Sequence, residues 1–228
     1  MIKFILFDLD DTIIDFTKCE KESVLKAFSK YEIMPAEQMA NRYSEINYDM
    51  WKNLERNLLS RDQLKIERFR ILFEEFKVDV PPILVAREYE ERLKNSYHLM
   101  ENAEKVVSKL AKTYKLYIAT NGTVAVQQPR IEKLDILKYF QDYYISEEMG
   151  ANKPSKSFFL PVFESIPDFK KEECVIIGDS LTADVKGGNI MGIKTIWFNR
   201  FNDELPSEYN PDYVVYSLDE IPAILNKM

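Results

Sequence analysis

The sequence contains few cysteines and only one histidine. Two cysteines occur in 228 residues, Cys19 and Cys174, and they are far apart and lack the spacing of a metal site. We therefore expect free thiols in a reducing cytoplasm rather than a disulfide framework. The single histidine, His98, lies far from every acidic motif described below, so we expect it to be structural or on the surface.

Long apolar runs and an excess of positive charge are also absent. No apolar run approaches the roughly 18 residues of a membrane-spanning helix. The short apolar stretch at the N-terminus is interrupted by aspartates, so we expect no signal peptide. A net charge of −7 and a pI near 5.0 argue against binding to nucleic acid or to anionic membranes. We expect a cytoplasmic monomer or weak homodimer whose partner is a small molecule.

Apolar, β-rich runs alternate with helical patterns over most of the chain. This alternation predicts an α/β fold, a Rossmann-like open parallel sheet flanked by helices, which binds ligands at the carboxyl ends of its strands. The predicted strands cover 3–10, 115–122, 142–148, 174–180, 194–199 and 212–217, and the predicted helices cover 101–113, 123–138, 155–165, 182–191 and 217–227.

Residues 16–97 break this alternation, because they contain helical patterns and no strand candidate. We therefore expect an α/β core domain formed by residues 1–15 and 98–228, and an inserted all-helical domain formed by residues 16–97. The predicted helices of the insertion cover 17–31, 36–59, 61–77 and 82–97.

The first strand candidate leads directly into three aspartates. In "DLDDT", Asp8, Asp10 and Asp11 follow the apolar residues 4–7. Two ionised carboxylates about 4 Å apart repel by roughly 4 kcal/mol at an effective dielectric constant near 20. A strand end or a helix cap would explain Asp11 and Thr12 but not easily Asp8. We take Asp8 as the candidate nucleophile and Asp10 as the candidate acid and base.

Two motifs supply groups that suit a phosphate. Thr120 and Asn121 in "YIATNG" follow a predicted strand and come shortly before a helix, where a hydroxyl and free N–H groups can bind an anion. An ordinary Asn-Gly turn is an equally good explanation. Lys153 in "GANKPSKSFF" precedes a proline and a helix, and could offset the carboxylates. The alternative is a solvated surface lysine.

A second pair of aspartates occurs in "VIIGDSLTADVKGG". Asp179 ends a buried strand after Gly178, which permits a tight turn, and Asp184 lies in the first turn of the next helix. A first-turn aspartate is often only a favourable partner of the helix dipole. Four of the six predicted strands thus end in polar residues, since Ser146 also follows a strand.

The order of these motifs resembles that of the haloacid dehalogenase superfamily of phosphotransferases. The resemblance spans Asp8 to Asp184 and implies Mg²⁺ as the cofactor, bound by the carboxylates of Asp8 and Asp179 and by the backbone carbonyl of Asp10. It also implies that residues 16–97 form a helical cap of the first type. More narrowly, "NG" after the second strand, "ISEEMGANKP" and Trp51 resemble the pyrimidine 5′-nucleotidase branch.

The resemblance implies a phosphomonoester hydrolase that acts through an aspartyl phosphate on Asp8. Asp10 would protonate the leaving alcohol and then activate water. Lys153, Thr120 and Asn121 would bind the phosphate together with the metal, and Asp184 would orient Asp179 or a metal-bound water. The hard oxygen ligands favour Mg²⁺ over zinc.

The sequence is compatible with several small phosphorylated metabolites as the substrate. The resemblance favours a nucleoside 5′-monophosphate, with sugar phosphates such as N-acylneuraminate 9-phosphate, or a phosphomutase reaction, as alternatives. Asp10 argues against a C–Cl dehalogenase, whose halide leaving group needs no proton. A phosphonatase would need a Schiff-base lysine in the cap, and no cap lysine has a distinguishing context. A different class of function is that of a non-catalytic phosphate-binding regulator.

Tyr43, Tyr48 and Trp51 could stack on a base, although residues at this spacing more often form the core of the cap.

Overall fold

The computed structural model describes residues 1–56 and 58–228, which form two compact units. One unit contains Met1–Asp15 and Leu99–Met228, and the other contains Phe16–His98. His98 lies on the helical side of the boundary, one residue later than the sequence predicts. Its backbone N–H donates to Cys19 Sγ at 3.4 Å and its Nε2 lies 2.9 Å from Glu22 Oε2. These contacts give His98 a structural place in the helical unit.

The helical unit contains four helices in its described residues. Ser60 and Gln63 form a reciprocal capping box at the start of the third helix, and Pro82 opens the fourth, where a missing N–H costs nothing. The predicted helix over 36–59 ends earlier than expected, and residue 57 lies outside the described residues. The helices are α1 (Phe16–Lys30), α2 (Ala36–Glu55), α3 (Arg61–Phe76) and α4 (Pro82–Leu93).

Stacked aromatic rings form the centre of the helical unit. Tyr43 is fully buried and its ring centroid lies 4.7 Å from that of Phe69. The guanidinium of Arg68 lies 4.8 Å from the centre of the Tyr89 ring. Of the aromatic residues considered for base stacking, Tyr43 therefore belongs to this core, whereas Tyr48 is 63% exposed.

The described part of the other unit contains a six-stranded parallel sheet in the order β3-β2-β1-β4-β5-β6. All residues of the first and fourth strands are buried, as expected for apolar strands covered on both faces. The predicted α/β class and parallel sheet are confirmed. The strands are β1 (Phe4–Phe7), β2 (Lys115–Thr120), β3 (Phe140–Ile145), β4 (Cys174–Gly178), β5 (Lys194–Phe198) and β6 (Tyr213–Val215).

Helices cover this sheet, and several of them are shorter than the sequence predicts. Leu134 is extended and 5% exposed, and it separates the helix that ends at Glu132 from a 3-10 turn over Asp135–Tyr139. A π-helical turn over Leu181–Val185 precedes the helix after β4. The helices are α5 (Ala103–Leu110), α6 (Val124–Glu132), α7 (Lys156–Ser165), α8 (Lys186–Met191) and α9 (Ile221–Leu225).

The sheet order places β1 between β2 and β4. The chain therefore continues to one side of β1 through β2 and β3, and to the other side through β4, β5 and β6. The carboxyl ends of β1, β2 and β4 meet at this change of direction, which is where open α/β sheets bind ligands.

Cys19 and Cys174 are both buried free thiols, as expected. Among the described residues, no helix is both long enough and apolar enough to cross a membrane.

Candidate active site

Asp8 is the first residue after β1, and Lys153 binds its carboxylate. The backbone N–H of Asp8 donates to the Ile177 carbonyl at 2.9 Å, so the pairing with β4 fixes its position. Asp8 Oδ1 accepts a hydrogen bond from Lys153 Nζ at 2.7 Å. The Lys153 side chain is 1% exposed, and a buried ammonium group requires such a partner. Lys153 is therefore not a solvated surface lysine.

Lys153 also connects the ends of β1 and β4. Its Nζ donates to Asp184 Oδ1 at 2.6 Å, and Asp184 Oδ2 accepts the backbone N–H of Ser180 at 3.1 Å. A Cβ atom on Gly178, the last residue of β4, would lie 2.1 Å from Asp184 Oδ2. The absence of a side chain at this position thus allows Asp184 to approach the strand end.

Asp8, Asp179 and Asp184 bring their carboxylates together. One carboxylate oxygen from each lies within 4.8 Å of the others. The carbonyl of Asp179 accepts a hydrogen bond from Trp197 Nε1 at 2.7 Å, which fixes the backbone of this strand end. Three hard oxygen ligands at this spacing fit a divalent cation such as Mg²⁺.

The crowding of these carboxylates perturbs their protonation. Burial raises the pKa of Asp8 to about 7; Lys153 counteracts part of this effect, and Asp184 adds to it. Burial, with Asp8 adding to it, also raises the pKa of Asp179 well above its usual range. Burial opposes the charge of Lys153, but Asp184 and Asp8 outweigh it and hold its pKa above the ordinary value. Because a bound cation favours ionised carboxylates, this donor set fits a metal ion.

Asp10 lies beyond the strand, in a turn, and its carboxylate has different partners. The strand ends at Phe7, and the backbone N–H groups of Ile13 and Ile14 both donate to the Leu9 carbonyl at 2.8 Å. The sequence pattern, which extends the strand through residue 10, is wrong at this point, because the chain turns after Leu9 and Asp11 adopts a positive φ of 53°.

Side chains from α6 bind both oxygens of the Asp10 carboxylate. Arg130 Nη1 donates to Asp10 Oδ1 at 2.8 Å, and Gln127 Nε2 donates to Asp10 Oδ2 at 2.8 Å. Gln127 Nε2 also lies 2.9 Å from Thr120 Oγ1. Thr120 is 1% exposed and is the last residue of β2. The structure thus joins Asp10 and Thr120 through Gln127.

Asn121 contacts the loop that carries Lys153. Its Oδ1 accepts the backbone N–H of Lys153 at 2.9 Å, and its Nδ2 donates to the Lys153 carbonyl at 3.0 Å. Ser146 Oγ, after β3, accepts the backbone N–H of Gly122 at 3.0 Å. The Asn121 side chain, predicted as a phosphate ligand, is therefore engaged in holding the backbone of Lys153.

Sequence reasoning did not identify three of the charged or polar residues at this edge. Gln127 and Arg130 lie on the buried face of α6, and Arg130 is fully buried. Arg200, after β5, pairs with Asp11 at 3.3 Å and with Asp15 at 3.2 Å. The available signal was the spacing of Gln127 and Arg130, which places both on one side of a helix that directly follows the Thr120 motif.

A sequence profile of the haloacid dehalogenase-like hydrolase family matches residues 5–198. YfnB of Bacillus subtilis (strain 168), named as a HAD-hydrolase, is 36% identical over 222 residues, which cover 97% of this chain and 94% of YfnB. The pyrimidine 5′-nucleotidase PynA of Streptococcus pneumoniae is 34% identical over 99% of this chain and 95% of PynA. The pyrimidine 5′-nucleotidase YjjG of Escherichia coli is 26% identical over 98% of both chains.

The fold is also similar to that of a solved relative. An orthorhombic crystal structure of YfnB, bound to magnesium and revealing interdomain movement, superposes with a TM-score of 0.94 at 35% identity and covers 99% of both chains. The profile match includes every aspartate of the carboxylate cluster, together with Lys153. From the match over most of its length and from these relatives, the chain belongs to the haloacid dehalogenase-like hydrolase family.

Proposed function

We propose that this hydrolase cleaves phosphomonoesters with Mg²⁺ through an aspartyl phosphate on Asp8, and that its substrates are nucleoside 5′-monophosphates. The observation that carries the proposal is the position of Lys153 Nζ, which donates to both Asp8 and Asp184, two of the three aspartates whose carboxylates cluster together with that of Asp179. Such a site combines a nucleophile, a fixed positive charge and a set of metal ligands. The pyrimidine 5′-nucleotidase PynA is 34% identical over 99% of this chain, which supports the choice of substrate.

The carboxylates of Asp8 and Asp179 would hold Mg²⁺, with the backbone carbonyl of Asp10 expected from the resemblance. The carboxylate of Asp184 lies within the same cluster, so it would either bind the metal or orient a metal-bound water. When bound, the metal neutralises charge on the phosphate and on the aspartates. Lys153 and Thr120 would stabilise the equatorial phosphate oxygens.

The reaction proceeds in two steps that regenerate the enzyme. In the first step, a carboxylate oxygen of Asp8 bonds to phosphorus, the bond from phosphorus to the leaving oxygen breaks, and Asp10 gives its proton to that oxygen. In the second step, Asp10 accepts a proton from water while the water oxygen bonds to phosphorus. The bond between Asp8 and phosphorus then breaks, which releases phosphate and leaves Asp10 protonated again.

We further propose that the helical insertion, residues 16–97, acts as a cap that supplies substrate selectivity. The residues of the carboxylate cluster and Lys153 belong to the sheet unit and suit a metal ion and a phosphate group. The phosphate group is common to all phosphomonoesters. Selectivity for the rest of the substrate must therefore come from other parts of the chain. The interdomain movement of YfnB supports a cap that moves.

A panel of phosphorylated metabolites tests the proposal. We expect the highest kcat/KM for uridine, cytidine or thymidine 5′-monophosphate, with the corresponding 3′-monophosphates as matched controls. Excess EDTA should abolish turnover and Mg²⁺ should restore it. Ca²⁺ should substitute poorly, because its looser coordination misplaces the nucleophile.

Other outcomes of these assays would indicate a different function or mechanism. Preference for N-acylneuraminate 9-phosphate or another sugar phosphate would make the protein a sugar-phosphate phosphatase. Transfer of the phosphoryl group to a second sugar hydroxyl, rather than to water, would identify a phosphomutase. Binding of phosphate without turnover of p-nitrophenyl phosphate would indicate a non-catalytic regulator. Full activity in metal-free buffer would contradict the mechanism.

A further inference from the structure

Arg130 is a fully buried arginine whose charge is directed at the candidate acid and base. Its side chain is 0% exposed, and its Nη1 donates to Asp10 Oδ1 and to Gln127 Oε1, both at 2.8 Å. Burying a guanidinium is costly unless charged or polar groups surround it. An apolar residue at this position of α6 would avoid that cost, so its burial beside Asp10 requires an explanation.

Gln127 completes the contact from the other side of the same carboxylate. Its Nε2 donates to Asp10 Oδ2 at 2.8 Å, while its Oε1 accepts from Arg130. The Gln127 side chain lies so close to Gly122 that a Cβ there would come within 2.5 Å of Gln127 Cγ. The Asp10 carboxylate is thus held at both oxygens by two donors that are themselves hydrogen-bonded to each other.

We propose that Gln127 and Arg130 are positioning residues, which fix the Asp10 carboxylate in the orientation needed for proton transfer to and from the phosphate ester. This inference rests on the proposed function. Each carboxylate oxygen has two lone pairs, so one donor on each oxygen leaves the other lone pair for the transferred proton. A carboxylate held at one oxygen only would rotate, and misplacement by about 1 Å can cost about 10²-fold in rate.

The link to Thr120 extends this arrangement to the phosphate. Gln127 Nε2 lies within hydrogen-bond distance of both Asp10 Oδ2 and Thr120 Oγ1. Thr120 is one of the predicted phosphate ligands, and Asp10 must meet the leaving oxygen of the same phosphate. The side-chain amide of Gln127 therefore sets the position of the Asp10 carboxylate relative to Thr120. Without this shared contact, the loops after β1 and β2 would place the two side chains independently.

The test compares substrates whose leaving groups differ in their need for a proton. Gln127→Met and Arg130→Met are measured with p-nitrophenyl phosphate, whose leaving group departs without protonation, and with a nucleoside 5′-monophosphate, whose leaving alkoxide requires it. The parameter kcat/KM reports phosphoryl transfer to Asp8, whereas kcat also includes hydrolysis of the aspartyl phosphate, in which Asp10 acts as the base.

We expect kcat/KM for the nucleotide to fall by about 10- to 100-fold in both variants, and kcat/KM for p-nitrophenyl phosphate to change by less than about threefold. The kcat for p-nitrophenyl phosphate should fall, and a burst of p-nitrophenol should precede slow turnover. Gln128→Met is the matched control, because Gln128 is adjacent on α6 and its side chain donates to Glu132. It should behave as the wild type.

A double-variant cycle separates positioning from damage to the fold. If Gln127 acts through Asp10, adding Gln127→Met to Asp10→Asn should cost little further activity. Arg130→Lys, which keeps the charge, should recover part of the loss and keeps the test informative if Arg130→Met folds poorly. Equal losses for both substrates, or additive losses in the Asp10→Asn background, would overturn the inference while leaving the proposed function intact. A wild-type protein that hydrolyses neither substrate would overturn both.

Discussion

The ionised carboxylate of Asp8 destabilises the folded chain. Its carboxylate is buried, and its pKa is raised to about 7 even with Lys153 hydrogen-bonded to it. The ionised form is therefore less stable in the folded chain than in the unfolded chain, and this costs stability above the ordinary pKa of an aspartate. This cost in stability is what we expect of a residue that is retained as the proposed nucleophile.

We expect Asp8→Asn to abolish turnover and to preserve the fold. The amide cannot form the aspartyl phosphate, so kcat should fall by about 10⁴-fold or more. The free energy of unfolding in metal-free buffer should rise, or fall by less than about 1 kcal/mol, because the substitution removes an unfavourable buried charge. Urea unfolding and a nucleotidase assay measure both quantities.

The exposed Asp142 on β3 provides the matched control for that substitution. Asp142→Asn removes the same charge from the same unit and should keep full activity. Substantial turnover by purified Asp8→Asn, with an unchanged circular dichroism spectrum, would remove Asp8 from its role as the nucleophile.

The aspartates and Lys153 could be located from sequence, whereas Gln127 and Arg130, which bind the Asp10 carboxylate, could not. Asp8 and Asp179 stand directly after apolar strands, and the pattern of a parallel sheet brings such residues to one edge. Gln127 and Arg130 have long polar side chains on a helix, which in a sequence look the same as solvated surface residues. Only the packing of α6 shows that they point inward.

Among the elements, β6 is the shortest strand of the described sheet and depends on Asp212. Asp212 Oδ2 accepts hydrogen bonds from the backbone N–H and the Oγ1 of Thr195, at 2.9 and 3.1 Å, and Oδ1 binds Lys194 Nζ at 2.5 Å. Although burial opposes it, these bonds from Lys194 and Thr195 lower the pKa of Asp212 below its ordinary value. One carboxylate thus connects the starts of β5 and β6.

We expect Asp212→Asn to lower the free energy of unfolding at pH 7 by about 1.5–3 kcal/mol, the usual contribution of hydrogen bonds to a charged group. Because the folded pKa lies below the unfolded one, this stabilisation is complete above the unfolded pKa and is lost as the pH falls through the folded value. The difference between wild type and variant should therefore shrink below about pH 4.

Urea titrations at several pH values measure this difference. Asp219→Asn is the control, since Asp219 pairs with Lys105 on the surface and its side chain is 38% exposed. It should have a small effect at every pH. A difference for Asp212→Asn that is the same at pH 3 and pH 7 would contradict an ionic role for this carboxylate.

Element boundaries were less predictable than the elements themselves. The six strands follow from apolar runs, but the predicted helix over 123–138 is divided at Leu134, which turns inward and is 5% exposed. Its periodicity continues across the break, so the sequence alone does not reveal it. The predicted first strand extended to residue 10 for a similar reason, since the turn after Leu9 depends on backbone hydrogen bonds to a single carbonyl.

At the scale of the whole molecule, two short segments connect the helical unit to the sheet unit. Near the sheet, these segments are paired with each other: Ile14 forms an isolated β-bridge with Leu99, and the backbone N–H of Met100 donates to the Ile13 carbonyl at 2.8 Å. Arg200 Nη1 lies 3.3 Å from Met100 Sδ and also pairs with Asp15. Both connecting segments are thus held to each other, and to Arg200, where they leave the sheet unit.

If the helical unit is a moving cap, hydrogen exchange in residues 15–17 and 97–101 should respond to an analogue of the phosphoryl group. Beryllium fluoride with Mg²⁺ should mimic the phosphorylated Asp8 and favour the closed state, which slows exchange in both segments relative to Mg²⁺ alone. Mass spectrometry measures this change. The Asp8→Asn variant is the control, because it cannot bind the analogue covalently. Unchanged exchange in the wild type, with fluoride binding verified, would mean that the substrate enters through a static channel.

The bridge between Ile14 and Leu99 has a consequence for how such enzymes can diversify. Because the chain leaves the sheet unit and returns to it at neighbouring residues, everything between Phe16 and His98 can be replaced as one cassette without a change in the strand order. Two splice points, after Asp15 and before Leu99, leave Asp8, Lys153 and Asp179 in their original chain context. If the insertion supplies substrate selectivity, as proposed, recombination at these two points would exchange substrate preference and leave the proposed catalytic residues unchanged.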